Sequence, residues 1–525
     1  MLKYSGLMIL RLGSRNFLRN YSAPGATIFK NTTETSGTVT DKNAEETAFP
    51  SKEGSGLLAA AFASLNEEEA DNRKPSPKSF KQSKTQQIDG QITKATDVNS
   101  LLLVAENPIV SRRHALKMVS ILSEWSSTNK VNLTDFEKDP RFLKLCRILA
   151  RTPASQAMSS LTMAEDLSTV MKALQQKGRR STPLLRALSF NITKQSEQLD
   201  LKKSADLLFS MASLNFPDPL LLDRICSDTI DCLPSNEDKP AVINSIIVSL
   251  GLLKHRHEAV LTALSEWIQS HRHICRVGDI ASAVVTFATL DFIPPKADSI
   301  IEAASRLKED EMVKASSWLD LVYALLILER VEQHHLVSTL QPDFIDKLLS
   351  SGEIPIPSRR KLMSIDAYVG IKFPSNKIRL AEDISVGVPI MHTKEKVLYV
   401  QSIMDTFKSL VSAETFLRRD CQTGMGFLYD AEFAVDSKCH PVPLDKVDKR
   451  NDVHRIAVLG LDYHDMSRGT PHPLGTIRLY ERLLTLKGFK VLKIPYTEFN
   501  PKDKLVTRVQ YIENRLKELV RQSRS

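Results

Sequence analysis

From about residue 95 to about residue 390 the apolar positions recur every three to four residues, with hardly any of the two-residue alternation that marks a strand. Four stretches share one pattern: Phe209–Phe216 (FSMASLNF), Val248–His255 (VSLGLLKH), Val285–Phe292 (VTFATLDF) and Tyr323–Arg330 (YALLILER), with starts 39, 37 and 38 residues apart. A short break follows each, twice holding prolines (Pro217 and Pro219, Pro294 and Pro295). A second amphipathic run then begins, such as Ala259–Ile268 or Ala297–Leu307. Such a unit buries its apolar face only by stacking on its neighbours, which predicts an α-solenoid of helical-hairpin repeats over residues 95–316. Ala212, Gly251 and Ala288 recur where helices would approach closely, and Leu161–Leu174 and Leu184–Ile192 predict an earlier, less regular unit.

The pattern changes past Leu417. Phe427–Asp436 (FLYDAEFAVD) alternates, which predicts a strand with Asp430, Glu432 and Asp436 on one face. Ile456–Leu461 and Lys490–Ile494 predict two more strands, Leu474–Leu486 a helix closed by Gly488, and Lys502–Val520 a closing helix. The order ββαβα describes a small α/β domain, so the fold class is α+β.

Charge is concentrated at the two ends. The formal net charge is +9; five Lys or Arg and no acid precede Glu34, and from Lys446 onward 17 Lys or Arg face 9 Asp or Glu. The ends thus hold +5 and +8, and the middle sums to 9 − 5 − 8 = −4. Arg11, Arg15 and Arg19 stack at helical spacing beside Ile9, Leu12, Phe17 and Leu18, which predicts a mitochondrial transit peptide over residues 1–21, cut after Tyr21. Residues 22–94, rich in Ser, Thr, Lys, Glu and Pro, predict a disordered linker in which Leu57–Leu65 is an apolar exception. No run of about 18 apolar residues occurs, so the expected location is the mitochondrial matrix without membrane insertion.

Six scattered cysteines form no CxxC and argue against a zinc module or a disulfide framework; neither a metal nor a cofactor is expected. Kinase chemistry lacks its parts. Gly424-Met425-Gly426 is a lone GxG, Arg418-Arg419-Asp420 is a faint echo of a catalytic loop, and both Asp-Phe-Gly and the P-loop pattern are missing.

Leu474-Gly475, Arg478, Arg482-Leu483-Leu484, Lys487–Val491 (KGFKV) and Ile494–Phe499 (IPYTEF) resemble the RAP domain, an RNA-binding module. Asp430–Asp436 resembles the close of the second FAST kinase-like region. With the transit peptide and the helical array, the chain resembles the FAST kinase domain-containing family of mitochondrial RNA-binding proteins. Arg179–Ser189, Asp320–Leu328 and Leu340–Phe344 point to one branch of it. The resemblance implies FAST kinase-like regions at 317–385 and 390–445 and a RAP domain at 453–515 with a restriction-endonuclease-like fold. It also implies a role in stabilising or processing particular mitochondrial messenger RNAs.

The expected RNA contacts are Arg179, Arg180 and Arg186 in the array, with Lys254, Arg256 and Arg272 at comparable places later, and Arg478, Arg482, Lys487, Lys490 and Lys493 near the end. Tyr496 and Phe499 would stack on bases or serve as core aromatics. Partners would be mitochondrial messenger or precursor RNA and RNA-granule proteins. One alternative is a metal-dependent endoribonuclease using Asp430, Glu432, Asp462 and His464, although the second strand reads Gly460-Leu461-Asp462 where an acid is often found and no Lys follows two residues on. The other is a protein scaffold of RNA granules.

Overall fold

The structure, a computed structural model, describes residues 84–127, 130–131, 135–136, 139–151, 182–236, 238–350, 352–411, 414–450 and 452–522. The transit-peptide residues, Leu57–Leu65, Leu161–Leu174, Arg179 and Arg180 lie outside them. The last part of the expected linker is helical: α1 spans Lys84–Lys94, with Ile88 and Ile92 buried one turn apart. Two apolar residues at that spacing give a polar segment a face to bury, which overall composition conceals.

From Ala95 onward the chain forms one unit. Helices α2 (Val98–Val104), α3 (Arg112–Ser127), α4 (Pro140–Arg151) and α5 (Thr182–Lys194) lead into four helix pairs. The first members are α6 (Leu201–Ser213), α8 (Pro240–Leu253), α10 (Val277–Thr289) and α12 (Ala315–Ile327). The second members are α7 (Pro219–Cys232), α9 (Glu258–Ser270), α11 (Asp298–Ser305) and α13 (Gln333–Leu340). First helices pack on first helices, and α7 packs on α9 and α9 on α11. Gly251 allows one such approach, since a Cβ there would come within 2.9 Å of Thr286 Oγ1.

Every first helix ends alike. Asn215, Lys254, Asp291 and Glu329 all take left-handed backbone, φ 46, 56, 50 and 60°. The next amide reaches back to close the helix: Phe216 to Met211 O (2.9 Å), His255 to Leu250 O (3.0 Å), Phe292 to Phe287 O (3.0 Å) and Arg330 to Leu325 O (2.9 Å). This is the Schellman closure, made four times without glycine at the left-handed position. Helices α14 (Pro342–Leu349), α15 (Ile356–Lys372) and α16 (Glu382–Ser385) follow.

The C-terminal region starts one helix before the pattern change. Helix α17 (Lys394–Leu410) precedes β1 (Leu417–Gln422), β2 (Leu428–Asp436), β3 (Pro441–Val442) and β4 (Val453–Leu461); α18 (Gly475–Leu486), β5 (Lys490–Pro495) and α19 (Leu505–Arg521) complete it. The sheet order is β1-β2-β4-β5, with β3 beside β2; β1, β2 and β4 run antiparallel and β4 and β5 parallel. Helices α17 and α19 bury Ile403, Phe407, Ile512 and Leu516 against Phe433, Ile456 and Ile494. Residues 394–443 and residues 453–521 therefore share one sheet and one core.

Candidate nucleic-acid interface

Three of the four left-handed caps, Lys254, Asp291 and Glu329, present their side chains to the C-terminal domain. Lys254 Nζ donates to His464 O (2.7 Å), and the backbone of residues 254–256 pairs with Arg468 at 2.6 and 2.8 Å. Arg478 meets Asp291 (3.2 Å) and Glu329 (3.6 Å); Arg482 meets Glu329 (2.9 Å) and donates to Leu326 O and Ile327 O at the end of α12. A cation on the last carbonyls of a helix is favourable both as a hydrogen bond and against the dipole. Gly475 has no room for a side chain, since a Cβ would lie 1.9 Å from Ala288 O. Arg478 and Arg482, expected on RNA, thus hold α18 to the array. Lys254 is half-buried with its pKa lowered by desolvation, and Arg256 pairs with Glu258, reaches Asp291 O and stacks on Phe292.

Asp430 and Asp462 come together with Asp465 around Lys396, each carboxylate acting on the charge of that lysine, whereas Glu432 and Asp436 are held elsewhere. Strand β2 forms as its alternation predicts, and it is covered on both faces. Asp430 accepts from Gly460 N (2.6 Å), and its other oxygen lies 2.6 Å from His392 Nε2, off the line of a hydrogen bond. Glu432 is held by Arg455 (2.6 Å), Arg418 (3.2 Å) and the Tyr429 hydroxyl (3.2 Å). Asp436 accepts from the amides of Lys438 and His440 in a turn. Asp462 accepts from the His464 amide, while Asp465 pairs with Lys396 at 2.7 Å. Burial raises the Asp465 pKa despite that lysine. A Cβ on Gly460 would sit 2.9 Å from Ile403 Cδ1 and 3.4 Å from the Asp430 carboxylate, so this position has no room for the missing acid. Among the described residues no group of three His, Cys, Asp or Glu side chains is placed to hold a metal ion.

The kinase-like echoes lie on and beside an edge strand. Arg418-Arg419-Asp420 lies on edge strand β1, and Gly424-Met425-Gly426 is the β1–β2 turn. There Ser364 donates to Met425 O (2.7 Å), and Gly426, at φ 85°, sits where a Cβ would meet Arg360 O at 2.4 Å.

The remaining candidates are dispersed. Arg186 is exposed on α5 and Arg272 near the end of α9. Lys487 is exposed after α18, and Lys490 is half-buried with its pKa lowered by desolvation. Lys493 pairs with Glu481 (2.7 Å). Phe499, 1% exposed, belongs to the core beside Tyr399, so it is no stacking surface. Tyr496 is 46% exposed. Tyr463, 48% exposed, stands at the neighbouring strand end and was not among the sequence candidates; its place between Asp462 and His464 drew attention to acids instead. No helix among the described residues is long and apolar enough to cross a membrane.

Comparison with known proteins gives two family matches. Residues 280–349 match FAST kinase-like protein, subdomain 1, and residues 359–443 match FAST kinase-like protein, subdomain 2. FAST kinase domain-containing protein 4 of Rattus norvegicus is 22% identical over 372 residues, 68% of this chain and 59% of the relative. Its counterparts in Mus musculus and Homo sapiens are 24% and 22% identical over 64% of this chain. The chain spans between 55% and 59% of the length of these relatives.

Proposed function

We propose, for this chain that carries FAST kinase-like subdomains 1 and 2 and is homologous to FAST kinase domain-containing protein 4, a non-catalytic role in the mitochondrial matrix. It binds particular messenger or precursor RNAs and stabilises them or helps process them. The helix pairs serve as an α-solenoid along which a transcript lies, and the C-terminal sheet, a restriction-endonuclease-like RAP domain, closes on the phosphates. RNA-granule proteins are the expected companions.

The observation that carries this reading is the placement of charge. Residues from Lys446 onward hold a balance of +8, and they are not a loose tail: they build β4, α18, β5 and α19, on the sheet that subdomain 2 begins. Arg478 and Arg482 spend their charge on Asp291 and Glu329 of the array, and the positive charge that remains exposed, as at Lys487, Lys502 and Lys504, suits a polyanion. The starts of α6, α8, α10 and α12 at residues 201, 240, 277 and 315 support the solenoid description. The succession helix, four strands (β3 only two residues long), helix, strand supports the endonuclease-like one.

The test is ultraviolet crosslinking and sequencing of bound RNA in cells expressing the tagged protein. Enrichment of particular mitochondrial transcripts over an untagged control is expected. An RNA set identical to the control overturns the reading, as does a full-length product that stays in the cytosol.

A further inference from the structure

Among the described residues, three aromatic side chains stand well out of the surface: Phe190, Tyr463 and Tyr496. Two of them are neighbours. Tyr463 follows the end of β4 and Tyr496 the end of β5, the parallel pair, and the Tyr496 amide donates to Leu461 O (2.9 Å) across the two ends. The Tyr463 ring lies on that of His464 with centroids 3.8 Å apart, which braces it from one side. Helix α17 begins beside them, since the Tyr399 hydroxyl donates to Ile494 O (3.0 Å) and Glu395 lies near the Tyr463 phenol. The loop leaving Tyr496 enters α19 through exposed Lys502 and Lys504.

Crevices outside the carboxyl ends of parallel strands are where open α/β sheets take ligands. Exposed aromatic rings bind the faces of unpaired bases whatever their sequence, and exposed lysines in the loop that follows suit the phosphates. A duplex keeps its bases stacked inside, so it offers such rings nothing. We propose that this end of the sheet is a stacking platform for single-stranded RNA, with Tyr463 and Tyr496 each taking a base and Lys502 and Lys504 the adjoining phosphates. The platform rests on the RNA-binding reading above and locates it.

Fluorescence anisotropy with the full chain, a labelled single-stranded 12-nucleotide RNA and the same strand made abasic tests it at low salt. The double variant Tyr463→Ala/Tyr496→Ala is expected to bind the RNA at least about tenfold more weakly. It should bind the abasic strand as the wild type does, and Tyr463→Phe/Tyr496→Phe should restore RNA affinity. Circular dichroism checks that the variants fold, which exposed side chains permit. Equal affinity of the Ala variant and the wild type overturns the platform while leaving RNA binding standing, and would point to a protein occupant. Failure of the wild type to bind either strand overturns the RNA-binding reading itself.

Discussion

Replacing Gly475 by Ala tests how the helical array and the C-terminal sheet are joined. The new methyl would stand 1.9 Å from Ala288 O and 2.8 Å from Ile327 Cγ2, where ordinary contact begins near 3.4 Å. The first obstacle is a backbone carbonyl of α10, which cannot rotate away, so α18 must retreat by about 1.5 Å. Overpacking of this kind costs about 1–3 kcal/mol. The retreat also stretches the Arg478–Asp291 contact at 3.2 Å and the Arg482–Glu329 contact at 2.9 Å. Both are partly exposed, so together they add only about 1 kcal/mol. A loss of about 2–4 kcal/mol is therefore expected, read as a lower urea midpoint by circular dichroism. Gly278→Ala is the control: it lies inside α10 with nothing within 4 Å of the added carbon and should gain about 0.5–1 kcal/mol. If Gly475→Ala is as stable as the wild type, the close docking of α18 on α10 is wrong.

Arg482→Ala leaves the Leu326 and Ile327 carbonyls and Glu329 without their cation and should cost about 2 kcal/mol by the same denaturation, without the RNA affinity falling more than about threefold. Asp430→Asn disturbs the acceptor of the Gly460 amide and should lower stability by about 1–3 kcal/mol while leaving RNA affinity unchanged; a selective loss of RNA cleavage would instead revive the nuclease alternative. Acid should loosen the array near His255, whose pKa burial lowers to about 4 despite Asp223 3.8 Å away. That carboxylate is 63% exposed and screened by water, whereas the ring is 3% exposed, so desolvation wins. A neutral folded histidine and a protonated unfolded one make stability fall as pH drops below about 6.5, by about 2 kcal/mol at pH 5 and levelling off below pH 4. His255→Gln should remove that part of the slope, and an unchanged slope contradicts the assignment.

The repeat was legible because a helix pair leaves its period in the sequence: FSMASLNF, VSLGLLKH, VTFATLDF and YALLILER mark the ends of α6, α8, α10 and α12. Strand β1 was not legible, since Leu417–Gln422 (LRRDCQ) is a charged edge strand with one buried residue and no alternation to read. The alternation in β2 was visible but said nothing of what covers each face. At the docking seam, charge could be read from Arg478 and Arg482, whereas their partners Asp291 and Glu329 lie more than 140 residues earlier and become neighbours only in the fold. Phe499 and Tyr496 show the same limit, three residues apart with one in the core and the other on the surface. Composition showed the excess of positive charge, and only the fold shows which rings remain exposed.

Binding of the purified full chain to a single-stranded RNA, measured by anisotropy from 50 to 200 mM salt, tests the central claim most directly. Phosphate contacts from Lys502 and Lys504 on a single strand predict a fall in affinity of about sevenfold over that range. No binding at 50 mM, or an affinity that salt does not change, would contradict the claim that the basic C-terminal fold takes RNA.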